Sequence, residues 1–127
     1  MTRNKTESRV KVLIVDDDSD VLELLEVWLK DEKYAVRKAG SGNEALEIVA
    51  EYEPDLVITD LYMEGMDGME LLSELHSDDP LLPVIMLSGQ AQIPDAIKAM
   101  HLGTSAFLTK PIKKEEFNET VRQIVPS

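Results

Sequence analysis

The chain contains no cysteine, so a disulfide framework, a thiolate metal site and thiol redox chemistry are all excluded. No apolar run approaches the ~20 residues that a membrane-spanning helix needs. Met1 to Val10 also lacks the apolar segment of a secretory signal, and the expectation is a soluble, cytoplasmic protein. Positive charge is scarce, with 13 Lys and Arg against 25 Asp and Glu for a formal charge of -12. Binding to a phosphate backbone rests on clustered Lys and Arg, so the balance speaks against nucleic acid and for a surface that meets proteins or cations. Low-complexity tracts, Gly/Ser linkers and internal repeats are missing as well. A chain of 127 residues can bury roughly two-thirds of its unfolded surface in one domain. That domain is expected over residues 10–125, with a flexible tail over residues 1–9 and a short tail over residues 126–127.

What is present is a regular alternation. Val10 to Val15 is a β-rich apolar run broken only by Lys11, and Asp16-Asp17-Asp18-Ser19-Asp20 leads from it into Val21, Leu22, Leu25, Trp28 and Leu29 at helical spacing. Tyr34 to Ala39 reads as a second strand, with Ser41 as N-cap of a helix carrying Ala45, Leu46, Ile48 and Val49. In Asp55 to Asp60 the block Leu56, Val57 and Ile58 suits a strand covered on both faces. Asp67 then caps a helix through Met69, Leu71, Leu72 and Leu75 that ends near Pro80. Pro83 to Leu87 is a fourth strand, followed by a helix around Ala96, Ile97 and Met100 that Gly103 terminates. Ala106 to Thr109 is a fifth, and Phe117, Val121 and Ile124 form the apolar face of the last helix.

Strands alternating with helices in this way imply a parallel sheet with right-handed crossovers and helices on both faces, a doubly wound α/β sandwich. In the flavodoxin-like strand order 2-1-3-4-5 the winding reverses between strands one and three, and ligands bind in the crevice at their carboxyl ends. Asp16, Asp17, Asp60, Ser88 and Lys110 all fall at strand exits, whereas the exit of strand two carries only Gly40 and Ser41. Like charges ~4 Å apart repel by ~4 kcal/mol at an effective dielectric of ~20. The three carboxylates therefore call for positive charge, which Lys110 and a hard, oxygen-liganded cation such as Mg²⁺ would provide. A carboxylate flanked by a divalent cation, an ammonium and a hydroxyl has the parts for accepting a phosphoryl group, with Asp60 as nucleophile and Ser88 as donor.

Val15-Asp16-Asp17-Asp18, Asp60-Leu-Tyr-Met-Glu-Gly-Met-Asp-Gly68, Leu87-Ser88-Gly89 and Thr109-Lys110-Pro111 together resemble the signature of response-regulator receiver domains of two-component signalling. The resemblance runs from about Val10 to Ile124, in family order and at family spacing. It implies that Asp60 is the phosphoacceptor and that Asp16, Asp17, Asp60 and the backbone carbonyl of Tyr62 hold Mg²⁺. It further implies that Lys110 pairs with the phosphoryl group and that Ser88 and Phe107 are the two switch positions. A histidine kinase or histidine phosphotransfer protein would be the donor, and a downstream target or effector domain would receive the output. A phosphorylation-dependent homodimer is open to such a domain. The chain would then be no enzyme toward other molecules, catalysing only its own phosphorylation and dephosphorylation. Glu64, Ser88 and Gly89 stand where the family more often has Pro, Thr and Ala. Nothing that reads as an effector domain follows Ile124, leaving either a single-domain regulator or a receiver that is part of something longer.

Tyr62, two past Asp60, and Gln90, two past Ser88, are expected to border the water's path to the phosphoryl group and to tune its lifetime toward slow loss. Blander readings exist. Asp16 to Asp20 taken alone are acids favoured at a helix N-terminus, and an EF-hand fails because Val21 and Val27 occupy the required Gly and Glu positions. Met63, Met66 and Met69 read as core filling, and His76 and His101 as solvated. A haloacid-dehalogenase-like phosphatase would need an Asp where Tyr62 stands, and a receiver-like interaction module that is never phosphorylated would not need the full set of chemical residues.

Overall fold

The structure is a computed structural model that describes residues 9–89 and 93–127. Its elements follow in the order β1 (Lys11–Val15), α1 (Ser19–Asp31), β2 (Ala35–Ala39), α2 (Gly42–Tyr52), β3 (Leu56–Asp60), α3 (Gly68–Asp78), β4 (Val84–Ser88), α4 (Ile93–His101), β5 (Ala106–Thr109) and α5 (Lys114–Ile124). The five strands are parallel, in the order β2-β1-β3-β4-β5. Every residue of β3 and β4 is buried, whereas edge strand β2 exposes Arg37 and Lys38, charges that discourage pairing with another chain.

Alternation along the strands sorts the aliphatic residues into two cores. Leu13, Val15, Val57 and Met86 face Ala45 of α2, Leu71, Leu72 and Leu75 of α3, and Ala99 of α4. Val12, Ile14, Ile58, Ile85 and Leu87 face Leu22, Leu25 and Leu29 of α1 and Phe117 and Val121 of α5. Phe117 is fully covered, with the Trp28 ring 5.8 Å away, and burying a side chain of that size contributes about 1.5–3 kcal/mol.

The caps expected from the sequence are formed. Ser41 accepts from the Glu44 N–H at 3.1 Å, and Asp67 and Glu70 form a reciprocal capping box, each cap contributing about 1 kcal/mol. Gly103, at φ 96°, takes the left-handed conformation that ends α4. Met63 and Met69 are buried and Met66 packs on the same core, as gap-filling thioethers do. Strand limits move slightly. Pro83 has no N–H to enter the ladder, although its carbonyl accepts from Val57 at 3.1 Å. β4 runs one residue further than its apolar pattern and takes Ser88 into the sheet. His101 is exposed, but His76 is half-buried and its Nε2–H donates to the Leu82 carbonyl at 2.9 Å, so it ties α3 to the turn before β4 and is not simply solvated.

Candidate functional site

Register brings the acids together. Val15 pairs with Thr59 across β1 and β3, so the next residues, Asp16 and Asp60, emerge side by side. The ladder continues past the strands through Leu61 N–H to the Leu87 carbonyl at 2.8 Å and Lys110 N–H to the Ser88 carbonyl at 2.9 Å. Those bonds fix where the Lys110 side chain starts. Its Nζ lies 3.0 Å from Asp16 Oδ2 and 3.3 Å from Asp60 Oδ1.

The run from Asp16 to Asp20 divides into separate tasks. Asp18 is the N-cap of α1 and accepts from the Asp20 N–H at 2.9 Å, while Asp16 Oδ1 accepts from the Asp18 N–H at 2.9 Å. Asp16 and Asp60 are buried, at 1% and 6% exposure, and Asp17 is exposed at their edge. Oxygens of Asp16, Asp17 and Asp60 lie within 4.8 Å of one another. Three carboxylates against one ammonium leave the pocket negative, and its oxygen-only donor set fits a hard divalent cation.

Burial raises the pKa of Asp60 above the ordinary carboxylate range, and the neighbouring Asp16 charge adds to this. Lys110 pulls it back only in part. For Lys110, burial acts downward, but the hydrogen bond and charge of Asp16, with those of Asp60, more than offset it, and the ammonium is held above its ordinary value. Asp60 is thus a carboxylate in a buried, net negative pocket, paired with one lysine.

The remaining sequence candidates occupy distinct places. Ser88 is fully buried at the end of β4 and level with Thr109 of β5. Phe107 is half-buried and packs against the core shared by α2, α3 and α4. Tyr62 is 47% exposed, and its hydroxyl donates to the Asp95 carboxylate, tying the β3–α3 loop to the first turn of α4. That bond raises the Tyr62 pKa. Gln90 lies outside the described residues. A Cβ on Gly89 would meet Lys110 Cβ at 3.5 Å, an ordinary contact, so the glycine is not sterically required there.

Two residues of the site have roles that their place in the sequence did not reveal. Gly68 donates to the Leu61 carbonyl at 2.8 Å and lies so close under β3 that a Cβ would stand 2.4 Å from the Asp60 carbonyl oxygen. Its signal was a glycine directly after the capping Asp67. Asp95 had none, because its partner Tyr62 is 33 residues away in the chain.

A family model described as "response regulator receiver domain" matches residues 12–122. The transcriptional regulatory protein GlrR of Escherichia coli (strain K12) is 43% identical over 110 residues, which are 87% of this chain and 25% of that protein. The chain therefore spans about a quarter of the length of this curated relative. Among solved structures, the chemotaxis protein CheY4 of Vibrio cholerae superposes with a TM-score of 0.88 at 26% identity, covering 93% of this chain and all of the other. The receiver domain of NtrX from Brucella abortus gives 0.86 at 32% identity, covering 91% and 98% respectively.

Proposed function

Because the chain belongs to the response-regulator receiver domain family, we propose that Asp60 accepts a phosphoryl group from a phosphohistidine donor and that the modification switches a protein-binding face. The observation that carries the reading is the Asp60 carboxylate, buried beside Asp16 and 3.3 Å from the Lys110 ammonium at the point where the sheet reverses its winding.

An Asp60 carboxylate oxygen attacks phosphorus, and the bond from phosphorus to the donor's imidazole nitrogen breaks. The electron pair stays on that nitrogen, which takes a proton from solvent. Lys110, already charged and in place, pairs with a phosphoryl oxygen, and the Ser88 hydroxyl donates to another. Mg²⁺, held by Asp16, Asp17, Asp60 and the Tyr62 carbonyl, would neutralise charge on the transferring group when bound. Water later cleaves the acyl phosphate and returns the Asp60 carboxylate. A donor that keeps its phosphoryl group on histidine fits a histidine kinase or histidine phosphotransfer protein. The transcriptional role in the printed name of the E. coli relative supports a downstream target or effector domain as the recipient of the output, and the charge of -12 supports output through protein contact.

Drawn toward the phosphoryl oxygen, Ser88 supplies the contact that differs between the two states, and Phe107 turns into the space it leaves. Acetyl phosphate with Mg²⁺ is expected to add the mass of one phosphoryl group to the intact protein, and Asp60→Asn to add none. Retained labelling in Asp60→Asn would refute the assignment.

Tyr62 is proposed to slow hydrolysis by standing over the water's approach. Its hydroxyl is committed to Asp95, which leaves the ring as the group that acts on incoming water. Tyr62→Asn is expected to shorten the phosphoprotein half-life several-fold once donor is removed. An unchanged or longer half-life would mean that the ring does not shield the bond.

A further inference from the structure

At the end of the sheet opposite Asp60, the C-terminal halves of α2 and α3 line a groove of about 560 Å³. Leu46 and Val49 of α2, Leu75 of α3 and Leu82 give it an apolar part, and Leu81, the residue before Leu82, is 89% exposed. Its rim is entirely acidic in its charged groups: Glu53, Glu74, Asp78 and Asp79.

This placement of charge works against stability. Acids at a helix C-terminus oppose the macrodipole. Here two such termini meet, with Glu53 as C-cap of α2, no basic residue in its last turn, and Asp78 and Asp79 at the end of α3. Glu74 and Asp78 are also a like-charge i,i+4 pair. Among the described residues no ion pair reaches any of the four acids. His76, the basic residue of the last turn of α3, spends its Nε2–H on the Leu82 carbonyl.

We propose that this groove docks a cationic amphipathic segment of a partner protein, whose apolar side chains enter between α2 and α3 while its Lys or Arg side chains pair with the acidic rim. Charge complementarity selects that occupant. A second copy of this chain would bring the same acids and a charge of -12 to the contact, and an anionic lipid surface is repelled by it. The site lies at the amino ends of β3 and β4, away from the phosphoacceptor, so it binds the unmodified protein and stands whether or not Asp60 is phosphorylated.

The probe is a fluorescent synthetic helix of Lys and Leu at helical spacing, titrated into the full, unphosphorylated chain at low salt, with a Lys and Ser peptide of equal charge as reference. The Lys/Leu peptide is expected to bind more tightly than the Lys/Ser one and to shift the amides of Leu46, Val49, Leu75 and Leu82. Glu74→Gln combined with Asp78→Asn should weaken it about tenfold, equivalent to ~1.4 kcal/mol, without lowering the melting temperature, since both acids sit where they destabilise their helix. Ala50→Trp, which narrows the groove without changing charge, should weaken it as well. The control pair Glu115→Gln with Glu116→Gln should change it less than about twofold, the scale of exposed, screened charges. Equal losses in both double variants, equal binding of the two peptides, shifts spread over the whole surface, or no binding would each overturn the proposal. Self-association abolished by Ala50→Trp would overturn it in favour of a second copy.

Discussion

Lys110→Ala is expected to melt several degrees below the wild type at neutral pH, with part of the loss recovered when Asp60→Asn is added. Lys110 Nζ is the cation within 4 Å of both Asp16 and Asp60. Removing one partner of a buried charge group costs about 3–5 kcal/mol, and with 24% of the Lys110 side chain still exposed we expect the lower end, roughly 2–3 kcal/mol after solvent screening. The pH dependence has a definite sign. The Asp60 pKa is already raised in the folded protein, so its contribution to stability is greatest below the ordinary carboxylate pKa of ~4 and falls as pH rises through the raised folded value. Without Lys110 that value rises further, and the deficit of the variant should shrink as pH is lowered through it. Under the proposed function Mg²⁺ should also restore stability, and phosphoryl transfer should fall by about 10²–10³, the scale of losing one transition-state donor. A melting temperature for Lys110→Ala equal to the wild type at every pH would show that the carboxylates are not held in the crowded arrangement.

Gly68→Ala should be nearly as damaging although it adds one methyl group. The new Cβ would lie 2.4 Å from the Asp60 carbonyl oxygen and 2.9 Å from Leu61 Cα. Both are backbone atoms at the end of a fully buried strand, so the start of α3 has to lift away from β3. Overpacking of this kind costs about 1–3 kcal/mol, occasionally more. It also breaks the 2.8 Å bond from Gly68 N–H to the Leu61 carbonyl, and with it the path of the loop that carries Tyr62. Chemical denaturation should show a lowered midpoint, and phosphorylation by acetyl phosphate should slow in the fraction that remains folded. A midpoint unchanged from the wild type would mean that the loop can shift freely, against the close approach of α3 to β3.

Much of the site was legible because its parts are local signals. A β-branched run ending in Asp60 marks a buried strand delivering a carboxylate at its carboxyl end, and the acids after Val15 mark the neighbouring exit. The sequence could not divide the tasks among Asp16 to Asp20. Asp18 caps the helix, as an acid at a helix N-terminus does, whereas Asp16 is buried against Lys110, 94 residues away in the chain. Ser88 looked like the first residue of a loop because a hydroxyl breaks an apolar pattern, yet the ladder to β5 takes it into the strand. His76 gave no sign of its bond to Leu82, because a half-buried imidazole and a solvated one follow the same helical spacing.

Local pattern was enough to fix the alternation of strands and helices, the caps at Ser41 and Asp67, and the presence of three acids and a lysine at strand exits. Each depends on residues within a few positions of one another, where propensity and periodicity operate. It took the assembled fold to show that Asp16 and Asp60 share one ammonium, that Tyr62 reaches Asp95, that Gly68 must lack a side chain, and that four acids rim a groove at the far end. Those are contacts between elements distant in the chain, set by strand register and by the depth at which each helix packs, quantities that no local pattern encodes.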